Sequence, residues 1–483
     1  MSRRPRLEYV ISAALLAATA SIAQQSTQPV TPSGVNSWAY GGDVGFGHSD
    51  NISLVPSDKI SENMAIADFN FALNQSGSRL EDSLKGNFSW FDFLEHTYGN
   101  ELIGRFDGAA TLGIVPERVT WTLQDEFGQG QVDAFGAPTP NNIQNINYFS
   151  TGPNLTFRFA GTTFLDVTAR YGRVQFGASP FDSDRLLGGI ELGEDLSARS
   201  TVGLNVNSER VLFTNTAQNT DFDRSSAFLD YHLHGARTDV NLRAGLTHEN
   251  AADFSTSGPL GLIDVTRKTS PASSLEFSAG RDLTDASASF ANLQNGALNT
   301  INFAQAAITS DVYTISFAQA AWRYSRDRTG VTLSGRWERD SYGDQLLEGV
   351  NLIGNSLAPD LTNAATLDHS RRGVELSINE QLTRTFSVQV LGSYYDTSYQ
   401  HANFLSDSSA TNYGDARAGA GLTWREGRAL VIQLRYDHIA RIVSGVGSGT
   451  GYQENTVFLT FGYQPLTASP GAGAPAAGQS QAR

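Results

Sequence analysis

From Arg428 to Gln464, apolar and polar positions alternate, reverse direction and alternate again. Leu430, Ile432, Leu434 and Tyr436 share one face of an extended segment, with Val431, Gln433, Arg435 and Asp437 between them. A Gly- and Ser-rich loop, Val443 to Tyr452, follows. The chain then returns through Val457, Leu459, Phe461 and Tyr463, separated by Phe458, Thr460 and Gly462. Period-2 alternation gives a strand one apolar and one mixed face. The stretch therefore predicts a β-hairpin with a single apolar face.

The same unit recurs along the whole chain. A first strand is predicted from Trp38 to His48, a loop from Asp50 to Glu62, and a second strand from Met64 to Leu73. Further alternation runs through Leu84, Phe88 and Trp90, then Leu102 to Gly113, then Val119, Trp121 and Leu123. A long Gly-, Pro- and Asn-rich loop is read from Gly128 to Ile146. Beyond it, Leu155 to Phe159, Leu165 to Tyr171, Leu186 to Leu192, Val202 to Val206, Ala227 to Leu233 and Val240 to Leu246 alternate in the same way. After a loop from Asn250 to Ser257 come Leu262 to Arg267 and Leu275 to Ala279. Tyr313 to Phe317, Val331 to Trp337, Val374 to Ile378, Phe386 to Val390 and Ala418 to Trp424 complete the set. The reading is about 20 strands. It becomes 18 if the pair near Leu186 to Val206 or that near Leu262 to Ala279 does not form.

Long loops alternate with short turns, and each apolar face is a run of only three to five residues, too evenly spread for one soluble core. No blade-length repeat of a propeller is visible. The fold class expected is all-β: a transmembrane antiparallel up-and-down β-barrel of the outer membrane, with apolar faces toward lipid and wet faces toward a lumen. Tryptophans 38, 90, 121, 322, 337 and 424, with Tyr171, Tyr342, Tyr394 and Tyr436, fall near strand ends, as interfacial girdles require.

Composition supports this. Hydrophobic residues are 40% and charged residues 17% of 483 positions, with 47 glycines; soluble enzymes usually carry about a quarter charged residues. Cysteine is absent, which excludes disulfides, thiolate metal sites and a cysteine nucleophile. A net charge of −15 argues against general nucleic-acid binding. Arg3, Arg4 and Arg6, the apolar run Tyr9 to Ala20, and small residues at Ser21 and Ala23 read as a signal peptide, residues 1–23. Its loss would remove three Arg and one Glu and take the charge to −17. Residues 24–36 read as a polar leader, 37–465 as the barrel, and 466–483 as a disordered Ala/Gly/Pro-rich tail.

The inward faces would carry Arg158, Arg170, Arg243, Arg336, Arg417 and Arg435 with Asp166, Asp230, Glu276, Glu338, Glu375 and Asp437. Such a mixed-sign wall is affordable where it meets water or pairs across strands. It suits a polar polymer better than a single-sign ion filter. Asp230, His232 and His234 form one row that could bind a metal or serve a hydrolase. No Gly-x-Ser-x-Gly or His-Glu-x-x-His stretch supports either chemistry; a hydrated wall row is the simpler reading. No cofactor is implied. Gly445, Gly447 and Gly449 are not a phosphate loop, because no strand-to-helix transition surrounds them. The loops Ala286 to Ser310 and Asp344 to Ala365, rich in Asn, Gln and Ser, are the candidate constrictions.

The segment Val44 to Glu62 runs from a Gly-rich strand into Ser49-Asp50-Asn51-Ile52 and a Pro-containing acidic loop. In this it resembles the start of the exopolysaccharide-associated outer-membrane β-barrels encoded in PEP-CTERM-type export clusters. Thr266-Arg267-Lys268 and Ser278-Ala279-Gly280-Arg281-Asp282-Leu283-Thr284 resemble a hairpin of the same group. The resemblance implies a non-enzymatic channel in the outer membrane of a Gram-negative bacterium that exports or helps assemble a surface polysaccharide. Its partners would be lipid, lipopolysaccharide, the polymer and periplasmic export components. A general or solute-specific porin is the alternative reading, and an outer-membrane hydrolase the third. Asp50 and Asn51 also have a plain account, since both residue types favour a turn after a strand.

Overall fold

Alternation of this kind leaves every strand with two open hydrogen-bonding edges, and in lipid all of them must be paired. In the computed structural model they are paired by closure. The structure describes residues 36–132, 136–217, 219–252, 255–288, 290, 312–342, 368–399, 412–444 and 451–465. The expected signal peptide, most of the expected leader, the expected tail and the loop Asp344 to Ala365 lie outside these residues, as does most of Ala286 to Ser310.

Twenty strands follow one another: β1 (Asn36–Ser49), β2 (Glu62–Ser76), β3 (Leu80–Phe93), β4 (Glu101–Val115), β5 (Val119–Gln131), β6 (Ile143–Ala160) and β7 (Thr163–Phe176). Next come β8 (Ser183–Ser197), β9 (Ser200–Phe213), β10 (Phe222–His234), β11 (Thr238–Ala251), β12 (Ser255–Ser270) and β13 (Ser273–Asp285). The last are β14 (Val312–Arg326), β15 (Thr329–Ser341), β16 (His369–Gln381), β17 (Phe386–Tyr399), β18 (Asn412–Glu426), β19 (Leu430–Ser444) and β20 (Tyr452–Tyr463). Each pairs antiparallel with its sequence neighbours, and β20 returns to β1. The 20-strand count stands: of the two pairs that could have reduced it to 18, β8 and β9 pair along their length, and β12 and β13 pair from Gly261 opposite Arg281 to Ser270 opposite Ser273. Among the described residues no helix is long and apolar enough to cross a membrane.

All nine connections at one end are turns of two to four residues. Gly161 and Gly427 take positive φ there, a backbone region that costs any residue with a Cβ. Connections at the other end are longer, except 252–254 between β11 and β12. Two expected loops prove shorter than read. β5 and β6 extend to Gln131 and Ile143, leaving 132–142, and β11 and β12 absorb most of Asn250 to Ser257. The reason is length. A 14-residue strand spans roughly 46 Å, and at a tilt of ~40° it rises about 35 Å, more than the ~25 Å apolar band. The ladder thus continues past the lipid, where side chains no longer alternate by polarity.

The outward face carries the exposed large apolar residues, among them Val44, Phe46, Phe69, Leu192, Leu246, Val374 and Phe461. On a wall that faces lipid, this exposure is burial. Aromatics ring it at two heights. Trp38, Trp121, Trp322 and Trp424 stand near the turn end; Trp90, Trp337, Tyr171 and Tyr394 stand nearer the loop end. Tyr342 departs from the expected girdle. It is buried and packs on Tyr313, ring centroids 5.0 Å apart.

The seam between first and last strands is the shortest register in the barrel, from Gly42 opposite Tyr463 to Ser49 opposite Thr456. Side chains reinforce it at the loop end. Ser49 Oγ donates to Glu454 at 2.5 Å. Asp50 accepts from the Asn455 backbone N–H at 2.7 Å and from its side-chain amide at 2.6 Å. Buried Asn51 donates to the carbonyls of Gln453 and Val55, both at 2.8 Å. Asp50 and Asn51 thus clasp the first and last strands of the barrel together.

Candidate functional site: the lumen and its mouth

Twenty strands spaced about 4.8 Å and tilted ~40° enclose a backbone cylinder roughly 40 Å across. What the wall places in that space defines the site. Register parity puts Arg158, Asp166, Arg170, Asp230, His232, His234, Arg243, Glu276, Arg336, Glu338, Glu375, Arg417, Arg435 and Asp437 on the inner face. The wall pairs most of them locally. Arg158 meets Asp195 at 3.2 Å, Arg323 meets Glu276 at 3.2 Å, and Arg417 and Arg435 each approach Asp437 at 2.8 Å. Arg336 pairs with Glu338 and reaches Gln319 at 2.8 Å. Arg170 binds the carbonyls of Pro153 and Ala169 at 2.9 Å. Glu375 accepts from Tyr395 at 3.2 Å.

The row of Asp230, His232 and His234 does not converge. Asp230 accepts from Asn205, while His234 sits at the turn end, 2.5 Å from Asp239. Among the described residues no three His, Asp or Glu gather where a metal could sit.

A regularity that sequence reading missed runs around this wall. Arg158 lies 5.7 Å from the Phe164 ring, Arg336 5.0 Å from Phe317, Arg371 5.2 Å from Tyr395 and Arg435 5.0 Å from Phe458. In each case the ring rests on a glycine of the adjoining strand: Gly193 under Phe164, Gly280 under Phe317, Gly373 under Tyr395 and Gly47 under Phe458. A Cβ at Gly47 or Gly373 would overlap the ring, so these glycines are required by close approach rather than by turn geometry. The result is a set of rings laid flat on the lumen wall, each attended by a guanidinium. Arg441, 4.1 Å from Tyr413, extends the series toward the mouth. The signal was present in the sequence as Gly, aromatic and Arg at inward parity on neighbouring strands, but only the register shows which of them meet.

The mouth is narrowed from three sides. Ile52, in the loop after β1, packs inward on Met64, Ile66, Phe91, Phe93, Ile103 and Phe458. Residues 136 and 137, between β5 and β6, reach the strands of the seam: Ala137 packs against Leu54 and Tyr452, and Arg441 donates to the Gly136 carbonyl at 3.1 Å. The third closure involves the end of β13. Arg185 of β8 meets Asp285 at 2.5 Å and Glu209 at 2.9 Å, and Arg224 of β10 pairs with the same two carboxylates. On a circular wall, strands five apart lie roughly 28 Å from each other by the same geometry, beyond the reach of an Arg–Asp pair. The upper end of β13 is therefore drawn inward over β8 to β10, where Leu283 and Val312 pack on Val211, Phe213 and Phe222. A short helical segment continues from it, and Phe290 reaches Ile146 of β6. Its first N–H groups, Ser287 and Ala288, donate to Asp285 at 3.0 and 3.2 Å.

Of the two loops expected to constrict the lumen, the start of Ala286 to Ser310 does fold inward, while Asp344 to Ala365 lies outside the described residues. The loop 132–142 was not expected to take part. The ion cluster of Arg185, Arg224, Glu209 and Asp285 was not anticipated either, because its members are far apart in sequence.

A closed barrel with an apolar outer belt, two aromatic girdles and a charged, polar inner wall is an integral outer-membrane β-barrel. No family model matches the chain, and no curated protein matches it. Among solved structures it is similar to the siderophore receptor PirA from Acinetobacter baumannii, at 11% identity and TM-score 0.46, over 91% of this chain and 81% of that one. PirA from Pseudomonas aeruginosa follows at 11% and 0.42, over 90% and 81%. The copper transporter OprC matches at 10% and 0.41, over 90% and 84%. Similarity at this level assigns no ligand to this chain; the barrel is defined by its own closed ladder.

Proposed function

We propose that this barrel conducts, or helps to export and assemble, a cell-surface polysaccharide. The observation that carries this reading is the pair of glycine-seated rings that stay partly exposed on the inner wall, Phe317 and Tyr395, each with an arginine beside it. A pyranose ring has a C–H face that packs on an aromatic surface and equatorial hydroxyls that bond to guanidinium and carboxylate groups. Repeated around a lumen, such elements give a long polar chain many weak, replaceable contacts, which passage requires. Pairing of opposite charges within the wall keeps the field mixed, as suits a polymer rather than one ion type. The resemblance of the Ser49-Asp50-Asn51 region to polysaccharide-cluster barrels points the same way.

A solute-specific porin is the second reading, favoured by the inward-folded mouth, which would screen small solutes by size. Deletion of the gene separates the two. Loss of surface polysaccharide with unchanged uptake of small sugars supports export. Intact polysaccharide with impaired solute uptake replaces it with the porin. Arg371→Ala with Tyr395→Ala should reduce surface polymer while the barrel still assembles.

A further inference from the structure

The lipid-facing wall carries one group of residues that a lipid wall does not need. Arg281 on β13 stands opposite Ser316 on β14, which stands opposite Arg339 on β15; one step closer to the loops, Thr314 stands opposite Ser341. All five share the parity of the exposed Phe277, Trp322 and Trp337 on their strands, and together they line a recess. Both arginines are exposed. Their strands are separated by one strand, about 10 Å, so two guanidiniums flank a serine hydroxyl. The upper rim is set by Asp368, which accepts from Ser341 Oγ and the Tyr342 N–H, both at 2.8 Å.

Height decides what such a recess meets. Trp337, a girdle residue, lies two positions below Arg339 on the same face, and Ala318 and Ala320 lie below Ser316. The arginines therefore stand just above the apolar band, at headgroup depth and at the loop end of the barrel. An arginine in the band itself would cost ~2–4 kcal/mol, but near the interface the cost is ~0–1. The fork geometry of arginine matches phosphate bidentately.

We propose that this recess binds the phosphorylated headgroup of a lipid in the outer leaflet, with Arg281 and Arg339 on the phosphate oxygens and Ser316 and Thr314 as hydroxyl donors. The assignment does not depend on what the lumen conducts. Bound lipid would brace β13 to β15 from outside, where β13 leans inward at its top.

Native mass spectrometry of the detergent-extracted barrel, incubated with purified bisphosphorylated lipid A, tests it. The wild type should carry one tightly held lipid A. Arg281→Gln with Arg339→Gln should lower retention at least tenfold, and the Lys–Lys variant should keep a substantial share. Heat-modifiable gel mobility checks that each variant is folded. Arg372→Gln, whose arginine is paired with Asp396 at 3.0 Å, should have no effect. Equal retention by the Gln–Gln variant would overturn the proposal. So would complete displacement of the lipid by millimolar inorganic phosphate, which would make this a free-anion site.

Discussion

Replacing Asn51 with Ala tests the clasp that closes the barrel. Its amide donates to the Gln453 and Val55 carbonyls at 2.8 Å, and its oxygen accepts from the Val55 N–H at 3.3 Å. The side chain is fully buried. Three hydrogen bonds at about 1 kcal/mol each, with a carbonyl of the loop left without its donor, give a loss of ~3 kcal/mol. The Gln453 carbonyl keeps Lys59 at 3.3 Å, so the loss should not approach the full penalty for two orphaned groups. Urea unfolding of the barrel reconstituted in phospholipid vesicles measures it, with Ser57→Ala in the same loop as control. The midpoint should fall with an unchanged denaturant slope, because the seam opens without altering the surface exposed. A loss below about 0.5 kcal/mol for Asn51→Ala would refute the clasp, since the β1–β20 ladder alone would then hold the ends.

Asp50 makes the same seam sensitive to acid. Burial pushes its carboxyl up, but the hydrogen bonds from Asn455 outweigh this and hold it below its ordinary value of 3.8. A lowered folded value contributes stability above the ordinary pKa and loses it as pH falls through the folded one. The stability gap between wild type and Asp50→Asn should be constant above about pH 4 and shrink below it, read from unfolding midpoints between pH 6 and 3. Single cysteines in Asp50 to Glu62 or in 132–142 should react with an impermeant maleimide on intact cells, and cysteines at Gly161 or Gly235 should not; the reverse pattern would invert the orientation. Gly47→Ala should displace the Phe458 ring and cost about 1–3 kcal/mol. A neutral result in the same urea assay would show that the ring does not depend on its glycine seat.

Period 2 made most of the fold legible. Segments such as Leu430 to Tyr436 have only one way to hide an apolar face at every second residue, and the turn chemistry at Gly161 and Gly427 fixes where they reverse. Inner-wall parity follows from the same alternation, which sets Arg336, Glu338, Arg417 and Asp437 opposite the apolar faces of their strands. The strand ends were not legible. Beyond the lipid band nothing enforces polarity, so Gly128 to Gln131 and Ser255 to Ser257 look like loop yet pair as strand. The mouth was legible least of all. Arg185 and Asp285 are 100 residues apart, and no local pattern announces that β13 leans toward β8. Gly47 reads as one small residue among many until Phe458 is found above it. Asp50 and Asn51 drew attention as a motif, but their partners on β20 emerge only when the barrel closes.

Polymer passage needs a wide lumen, lined by charged and aromatic side chains, behind a mouth narrowed by inward-folded segments. Single-channel recording in planar bilayers tests it most directly, comparing the wild type with a variant whose residues 132–142 are replaced by a short Gly–Ser connection. The wild type should show small conductance steps, the variant severalfold larger steps, and both should be reversibly blocked by purified surface polysaccharide added on the turn side. Equal conductance in the two proteins, or open steps that the polysaccharide never interrupts, would contradict it.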